Sequence, residues 1–191
     1  MNIFRLDSDP VAAAAMHNDS HIRKMPTEYA QQLSTAVRLC GGKPGRLIHP
    51  KRGLVPYECV MDGEECRPPK VYLVTHINHP CNVWTRETRD NWTWLFCLYE
   101  AMCAEFERRT GRVHGAFRIR DDLAINSRFI PAGAETAPPL AMPEKYRNPK
   151  DPVQSYRVYY TLEKNGYFKE GVWVASTWTN ATIPTWYTPS R

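Results

Sequence analysis

The sequence predicts a mainly α-helical protein, a single compact domain over residues 1–191 with long irregular loops and little strand. Three observations carry that expectation. Two Asp-Pro pairs, Asp9-Pro10 and Asp151-Pro152, each put a side-chain acceptor just before the residue type favoured at the first helical position. Two stretches, 22–36 and 95–106, repeat apolar residues at three- and four-residue spacing, which is one face of a helix. A chain of 191 residues, 42% apolar and 12% aromatic, supplies one hydrophobic core and is short for two.

The elements follow in order. Asp9 caps a short helix through Ala12 to Met16. Asp19 is placed to cap a second, whose stripe is Ile22, Met25, Tyr29, Leu33 and Ala36 and whose stop is Gly41 with Gly42. Pro26 inside it predicts a kink or a fresh start. Residues 42–69, rich in glycine, proline and charge, read as an irregular excursion, and Val71 to Val74 as a short strand. A long helix is expected over 85–109, with Leu95, Leu98, Met102 and Phe106 as its stripe, its tryptophans structural, and Gly111 just past its end. Residues 115–149 read as a second irregular excursion. The Asp151-Pro152 signature opens a helix through Tyr156 and Tyr160 that stops at Gly166. The stretch 173–187 carries three tryptophans that have to pack somewhere.

Charge and motif content narrow the function. Net charge is +5, a weak bias, but Arg38, Lys43, Arg46, Lys51 and Arg52 run without an intervening acid, and Arg108, Arg109, Arg112, Arg118 and Arg120 form a second basic stretch. Such stretches suit a phosphate-bearing partner or a solvated surface. No apolar run approaches the ~18 residues that cross a bilayer, and the N-terminus lacks signal architecture, so a cytoplasmic protein with no membrane partner is expected. Six cysteines without a Cys-x-x-Cys pair read as reduced thiols. The triplet His76, His79 and Cys81 has ligand spacing but no second cluster, so no metal is expected. Without a Gly-rich phosphate loop, a dinucleotide fingerprint or a Gly-x-Ser-x-Gly elbow, no cofactor is expected either.

On a helix, His21, Lys24, Glu28, Gln32 and Thr35 share a sector of about 80°. That ridge is either a solvated face with a Lys24–Glu28 pair or an imidazole, amine, carboxylate and amide presented together. His76, Asn78, His79, Arg86 and Asn91 crowd the approach to the long helix, where amide groups favour anions. Tyr156, Arg157, Tyr160, Trp186 and Tyr187 offer rings that stack on unpaired bases or fill the core.

These residues resemble a family. Asp19-x-His21 with Glu28 seven residues later resembles the catalytic helix of the phage pyrimidine-dimer DNA glycosylases of the endonuclease V type, and Pro184-Thr-Trp-Tyr187 is similar to that family's closing aromatic segment. A longer phage-encoded branch also shares Lys24-Met25, Gln32 to Ala36, Asn78-His-Pro80, Trp84-x-Arg86-Glu87, Asn91 and Tyr156 to Tyr160. The resemblance implies a helical enzyme of the host-cell cytoplasm that binds damaged double-stranded DNA, flips out a nucleotide and releases its base through an amine nucleophile, with β-elimination nicking the strand. Glu28 would stabilise the cationic sugar and move protons, with His21 near phosphate or base. Asp19, Gln32, His76, Asn78, His79, Arg86, Asn91, Tyr156, Arg157, Tyr160, Trp186 and Tyr187 would contact DNA. The family's nucleophile is an α-amine exposed when methionine is removed before a small residue. Asn2 is large enough to retain methionine, which leaves Met1 or Lys24 as the amine. The alternatives are a DNA-hypermodification enzyme acting on a modified pyrimidine, and a non-enzymatic nucleic-acid-binding protein.

Overall fold

The computed structural model describes residues 1–41 and 70–189, and within 42–69 the backbone of four short strands. Six α-helices dominate: α1 (Pro10–Ala15), α2 (Asp19–Gly41), α3 (Pro80–Glu87), α4 (Arg89–Thr110), α5 (Arg120–Asn126) and α6 (Pro152–Glu163). Three antiparallel hairpins supply the strand: β1 (Arg46–His49) with β2 (Gly53–Pro56), β3 (Val60–Asp62) with β4 (Glu65–Arg67), and β5 (Gly166–Lys169) with β6 (Val172–Ala175). The protein is therefore mainly α, as the sequence predicts. The chain forms two compact units, one of Met1, Thr27–Phe96 and Gly115–Pro139, the other of Asn2–Pro26, Cys97–His114 and Leu140–Arg191.

In the first unit the C-terminal part of α2 buries Tyr29, Ala30, Leu33, Ala36 and Val37, and α4 adds Trp92, Trp94 and Leu95. The first-unit end of the α2 ridge is not a solvated face, since Gln32 and Thr35 are buried, as are Ser34 and Arg38 beside them. A segment laid along the helix explains part of this. Tyr72 N–H donates to Ser34 Oγ, Thr75 N–H to Thr35 Oγ1, and the Arg38 guanidinium to the carbonyls of Val71 and Tyr72. Residues 71–74 consequently form no strand, because helix side chains meet the backbone polar groups that a neighbouring strand would otherwise satisfy. At the end of α2, Gly41 lies so close to the Phe129 ring that a Cβ there would collide with it. Gly42, the second half of the expected stop, lies outside the described residues, as do Lys43, Lys51, Arg52 and Cys59; Arg46 and Cys66 are placed only as strand backbone.

The long helix expected over 85–109 is two helices. Thr88 is extended, with φ −138° and ψ 157°, and its Oγ1 accepts from Asn91 N–H to cap α4. Arg89 and Asp90 N–H donate to the carbonyls of Pro131 and Gly133, so a loop satisfies the first turn. The excursion over 115–149 is only partly irregular: a 3₁₀ turn at Gly115–Ile119 leads into α5, with Asp121 and Asp122 in its first turn, and a further turn at Ser127–Phe129 follows. Likewise the 42–69 stretch holds the first two hairpins, with Leu47 opposite Val55 and Met61 opposite Cys66.

In the second unit Asp9 accepts from Val11 N–H to cap α1, and Asp151 accepts from Gln154 N–H to cap α6. Asn18, rather than Asp19, caps α2: its Oδ1 accepts from His21 N–H and its carbonyl from Ile22 N–H. The helix then continues through Pro26 without a new start. The core is Ile3, Phe4, Leu6, Ile22, Met25, Leu98, Met102, Tyr156 and Tyr160. Arg109 is 6% exposed and donates to Glu105, to Asp19 and to the carbonyls of Ala15 and His17. It is an internal tie rather than part of a basic surface. Trp178 is buried, but Trp173 remains 48% exposed on β6.

Candidate functional site

The first unit brings two predicted residues together. The Met1 α-amine lies 3.6 Å from Glu28 Oε2, with side chains only 4% and 17% exposed. The contact is an ammonium–carboxylate ion pair, and such a pair can supply a nucleophile with a proton acceptor beside it once the ammonium gives up its proton.

His79 belongs to the same electrostatic neighbourhood. Burial, then the positive charges of the Met1 amine and His76, hold its imidazole below the usual histidine range, with Glu28 opposing them. Its Nδ1 accepts from Cys81 N–H, capping α3. A neutral ring that accepts at Nδ1 carries its proton on Nε2, so His79 has one N–H donor to offer. His76, at φ 48°, turns the loop, with its carbonyl accepting from His79 N–H and from Asn82 Nδ2. Asn82 Nδ2 also donates to the Thr75 carbonyl, and Thr75 is tied to Thr35 on α2.

Two amides in this unit are buried with polar atoms unsatisfied. Gln32 is fully buried and neither its Nε2 nor its Oε1 has a partner; Asn82 is 1% exposed and its Oδ1 has none. Leaving such atoms unmatched costs about 1–3 kcal/mol each, which marks them as candidates for binding. Gln32 was legible on the ridge of α2. Asn82 was not, since one asparagine three residues past a histidine carries no pattern.

The remaining predicted residues of this unit divide. Asn78 is exposed in the turn before α3. Arg86 donates to the Ile77 carbonyl and so braces that same turn. Asn91 is fully buried; it donates to the Trp84 carbonyl and Thr136 Oγ1 and accepts from Thr136 N–H. Its amide is committed to fastening the 131–136 segment, which removes it from a DNA-contacting role.

In the second unit Lys24 is exposed. His21 is 9% exposed, packed on Phe4 at 4.5 Å and Tyr160 at 5.1 Å, with Nδ1 unpartnered. Burial, then the charges of His17, Lys164 and Lys24, hold it well below the ordinary histidine range. His17, whose Nδ1–H donates to the Ala13 carbonyl, is pushed down to about 4, chiefly by burial. These are neutral core imidazoles. Asp19 accepts from Thr177 Oγ1, from Thr179 N–H and Oγ1, and from Arg109, which makes it a strap for the C-terminal segment rather than a DNA contact. Tyr156 and Tyr160 are fully buried, with hydroxyls bonded to Asn2 Oδ1 and Asn18 N–H, so neither ring can stack on a base. Arg157 donates to the Leu6 carbonyl and Asp7 and lies over the Trp186 ring, 5.5 Å from its centroid. Trp186 and Tyr187 are half-buried against each other, and Tyr187 packs on Trp178 at 4.6 Å. A groove of about 610 Å³ beside Trp186 is lined by Ala12, Ala15, Met16 and Ile183, with Glu105 and Arg108 paired to each other at its edge.

Among the described residues no group of three His, Cys, Asp or Glu side chains is placed to hold a metal, and no helix is long and apolar enough to cross a membrane. Compared with protein-family models, curated proteins and solved structures, the chain matches none.

Proposed function

We propose that the protein is a DNA glycosylase acting on a damaged or modified pyrimidine in double-stranded DNA, with the Met1 α-amine as nucleophile, Glu28 as its proton-handling carboxylate and an associated lyase step. The observation that carries this reading is the 3.6 Å approach of the Met1 amine to the Glu28 carboxylate, a side chain only 17% exposed. The target atom, C1′, is inaccessible inside a duplex, so the nucleotide has to be flipped out.

The chemistry balances with these groups. Glu28 takes a proton from the Met1 ammonium. The amine then forms an N–C1′ bond while the glycosidic bond breaks and its electron pair leaves with the base, which takes the proton held on Glu28 and so restores the carboxylate. Opening of the sugar gives an iminium. Loss of a C2′ proton to the carboxylate then expels the 3′ phosphate by β-elimination, and water hydrolyses the imine to free Met1. Glu28 stabilises the cationic sugar throughout, a role worth roughly 10²- to 10⁴-fold for a positioned acid–base group. His79 supplies an N–H donor for base or phosphate.

The test is incubation of the purified protein with end-labelled duplex DNA carrying one thymine dimer, with and without borohydride, beside Glu28→Gln. A trapped covalent complex and a nick that both fall at least 100-fold in the variant are expected. DNA that is bound yet neither trapped, nicked nor left abasic would refute the reading.

A further inference from the structure

The β5–β6 hairpin of the second unit exposes more aromatic surface than any other described element. Tyr167 is 50% exposed, Phe168 72%, Val172 66% and Trp173 48%. Phe168 and Trp173 are cross-strand partners with ring centroids 5.1 Å apart, so they share one face of the ribbon. Tyr167, Lys169 and Val172 lie on the other by strand alternation. A two-stranded ribbon wet on both faces is marginal in water and gains from a partner.

The ribbon is nonetheless preorganised. Glu170 at φ 51° and Gly171 at φ 82° form the two-residue turn that matches hairpin twist. At Gly166 an added Cβ would collide with the Val174 carbonyl and the Trp173 indole, so the absence of a side chain there lets the indole lie across β5. The two rings, edge to face at 68°, are therefore held in place on the exposed ribbon at little further entropic cost on binding.

We infer that this ribbon is a base-stacking wedge, whose Phe168–Trp173 face packs on bases unstacked in DNA; the choice of partner rests on the DNA reading above. Aromatic faces stack on any base, and apolar side chains inserted at base steps open and kink a duplex. The local charge is slightly positive: Lys164 precedes the ribbon and Lys169 lies on it, against the exposed Glu170 at the turn, while the neighbouring Glu163 is engaged by Lys145 and the Tyr146 hydroxyl. A second copy of the chain fits less well. Three aromatics exposed by half to three-quarters, plus a valine, offer roughly 400 Å², about half of the ~800 Å² per partner in a stable interface.

The test compares wild type, the doubly substituted F168S/W173S protein and Glu28→Gln for binding to labelled duplexes, one fully paired and one with a single unpaired thymine, alongside sedimentation and borohydride trapping on dimer DNA. Both substituted side chains are exposed, so folding is preserved, and circular dichroism checks it. The double substitution is expected to weaken binding to the bulged duplex about tenfold or more and binding to the paired duplex much less. Equal affinity of wild type and the double variant for the bulged duplex overturns the wedge, and trapping by wild type in that case leaves the glycosylase reading standing. Loss of bulge affinity in a protein that traps nothing keeps the wedge and removes the glycosylase. A wild-type dimer that becomes monomeric on double substitution assigns the face to self-association and overturns the wedge, as does absence of DNA binding in every variant.

Discussion

The buried histidines make stability fall on mild acidification, by an amount that follows from His17. In the folded protein its imidazole, fully buried and donating to the Ala13 carbonyl, is pushed down from 6.5 to about 4, chiefly by burial. In the unfolded chain it titrates near the ordinary value. Between those two values the unfolded state binds the extra proton, so stability is complete above the higher value and drains away as pH falls toward the lower one. At about 1.4 kcal/mol per pH unit, His17 alone loses on the order of 1 kcal/mol at pH 5.5 and 2–3 kcal/mol at pH 4.5. His21, also held down by burial, adds to the loss in the same direction. The carboxylates of Asp19 and Glu105 do not interfere. Burial works to raise both, but hydrogen bonds from Thr179 and from Arg108 and Arg109 outweigh it and leave them below their ordinary values, so their contribution is lost only at lower pH. Urea unfolding of wild type and His17→Gln at pH 7.5, 6.5, 5.5 and 4.5 provides the assay. His17→Gln should be less stable at pH 7.5, because ring packing is lost, yet lose about 2–3 kcal/mol less than wild type between pH 7.5 and 4.5. Parallel curves, or a wild type whose stability is flat across that range, would refute the assignment of His17 as a neutral core group.

Three further outcomes follow from named contacts. Arg109→Ala leaves the Ala15 and His17 carbonyls without this buried donor and Glu105 with Arg108 alone, and should cost about 2–4 kcal/mol in urea or thermal unfolding. Gly41→Ala drives a Cβ into the Phe129 ring and should cost about 1–3 kcal/mol, with Gly41→Ala/Phe129→Leu recovering part of it. His79→Asn keeps a side-chain cap on α3 but removes the imidazole; the melting temperature should shift little while turnover on dimer DNA falls about 100-fold.

The helices announced themselves because their signals are local. Asp9-Pro10 and Asp151-Pro152 state their caps within two residues, and the stripe from Ile22 to Ala36 lies on one continuous helix. What escaped depends on partners distant in sequence. Thr88 breaks the long helix because residues 131–133 receive the freed N–H groups, and Val71 to Val74 forms no strand because Ser34, Thr35 and Arg38 replace a neighbouring strand. The ridge of α2 was visible as a pattern, but its burial was not, since Gln32 and Thr35 look like surface residues until another segment covers them. The same ambiguity affected the aromatics: Tyr156 and Tyr160 went to the core, whereas Trp173 stayed on the surface. The Met1–Glu28 approach was legible only as a pair of candidate residue types on the two sides of one reaction.

The most direct measurement is the position of the trapped adduct. The protein is reduced with borohydride during reaction with dimer-bearing duplex, digested, and mapped by mass spectrometry, with a control whose α-amine has been acetylated. Sugar fragment on the N-terminal peptide, joined to the Met1 nitrogen and absent from the acetylated protein, is the expected result. An adduct on Lys24 would move the nucleophile away from the amine that Glu28 faces, and no adduct on any peptide would contradict amine catalysis altogether.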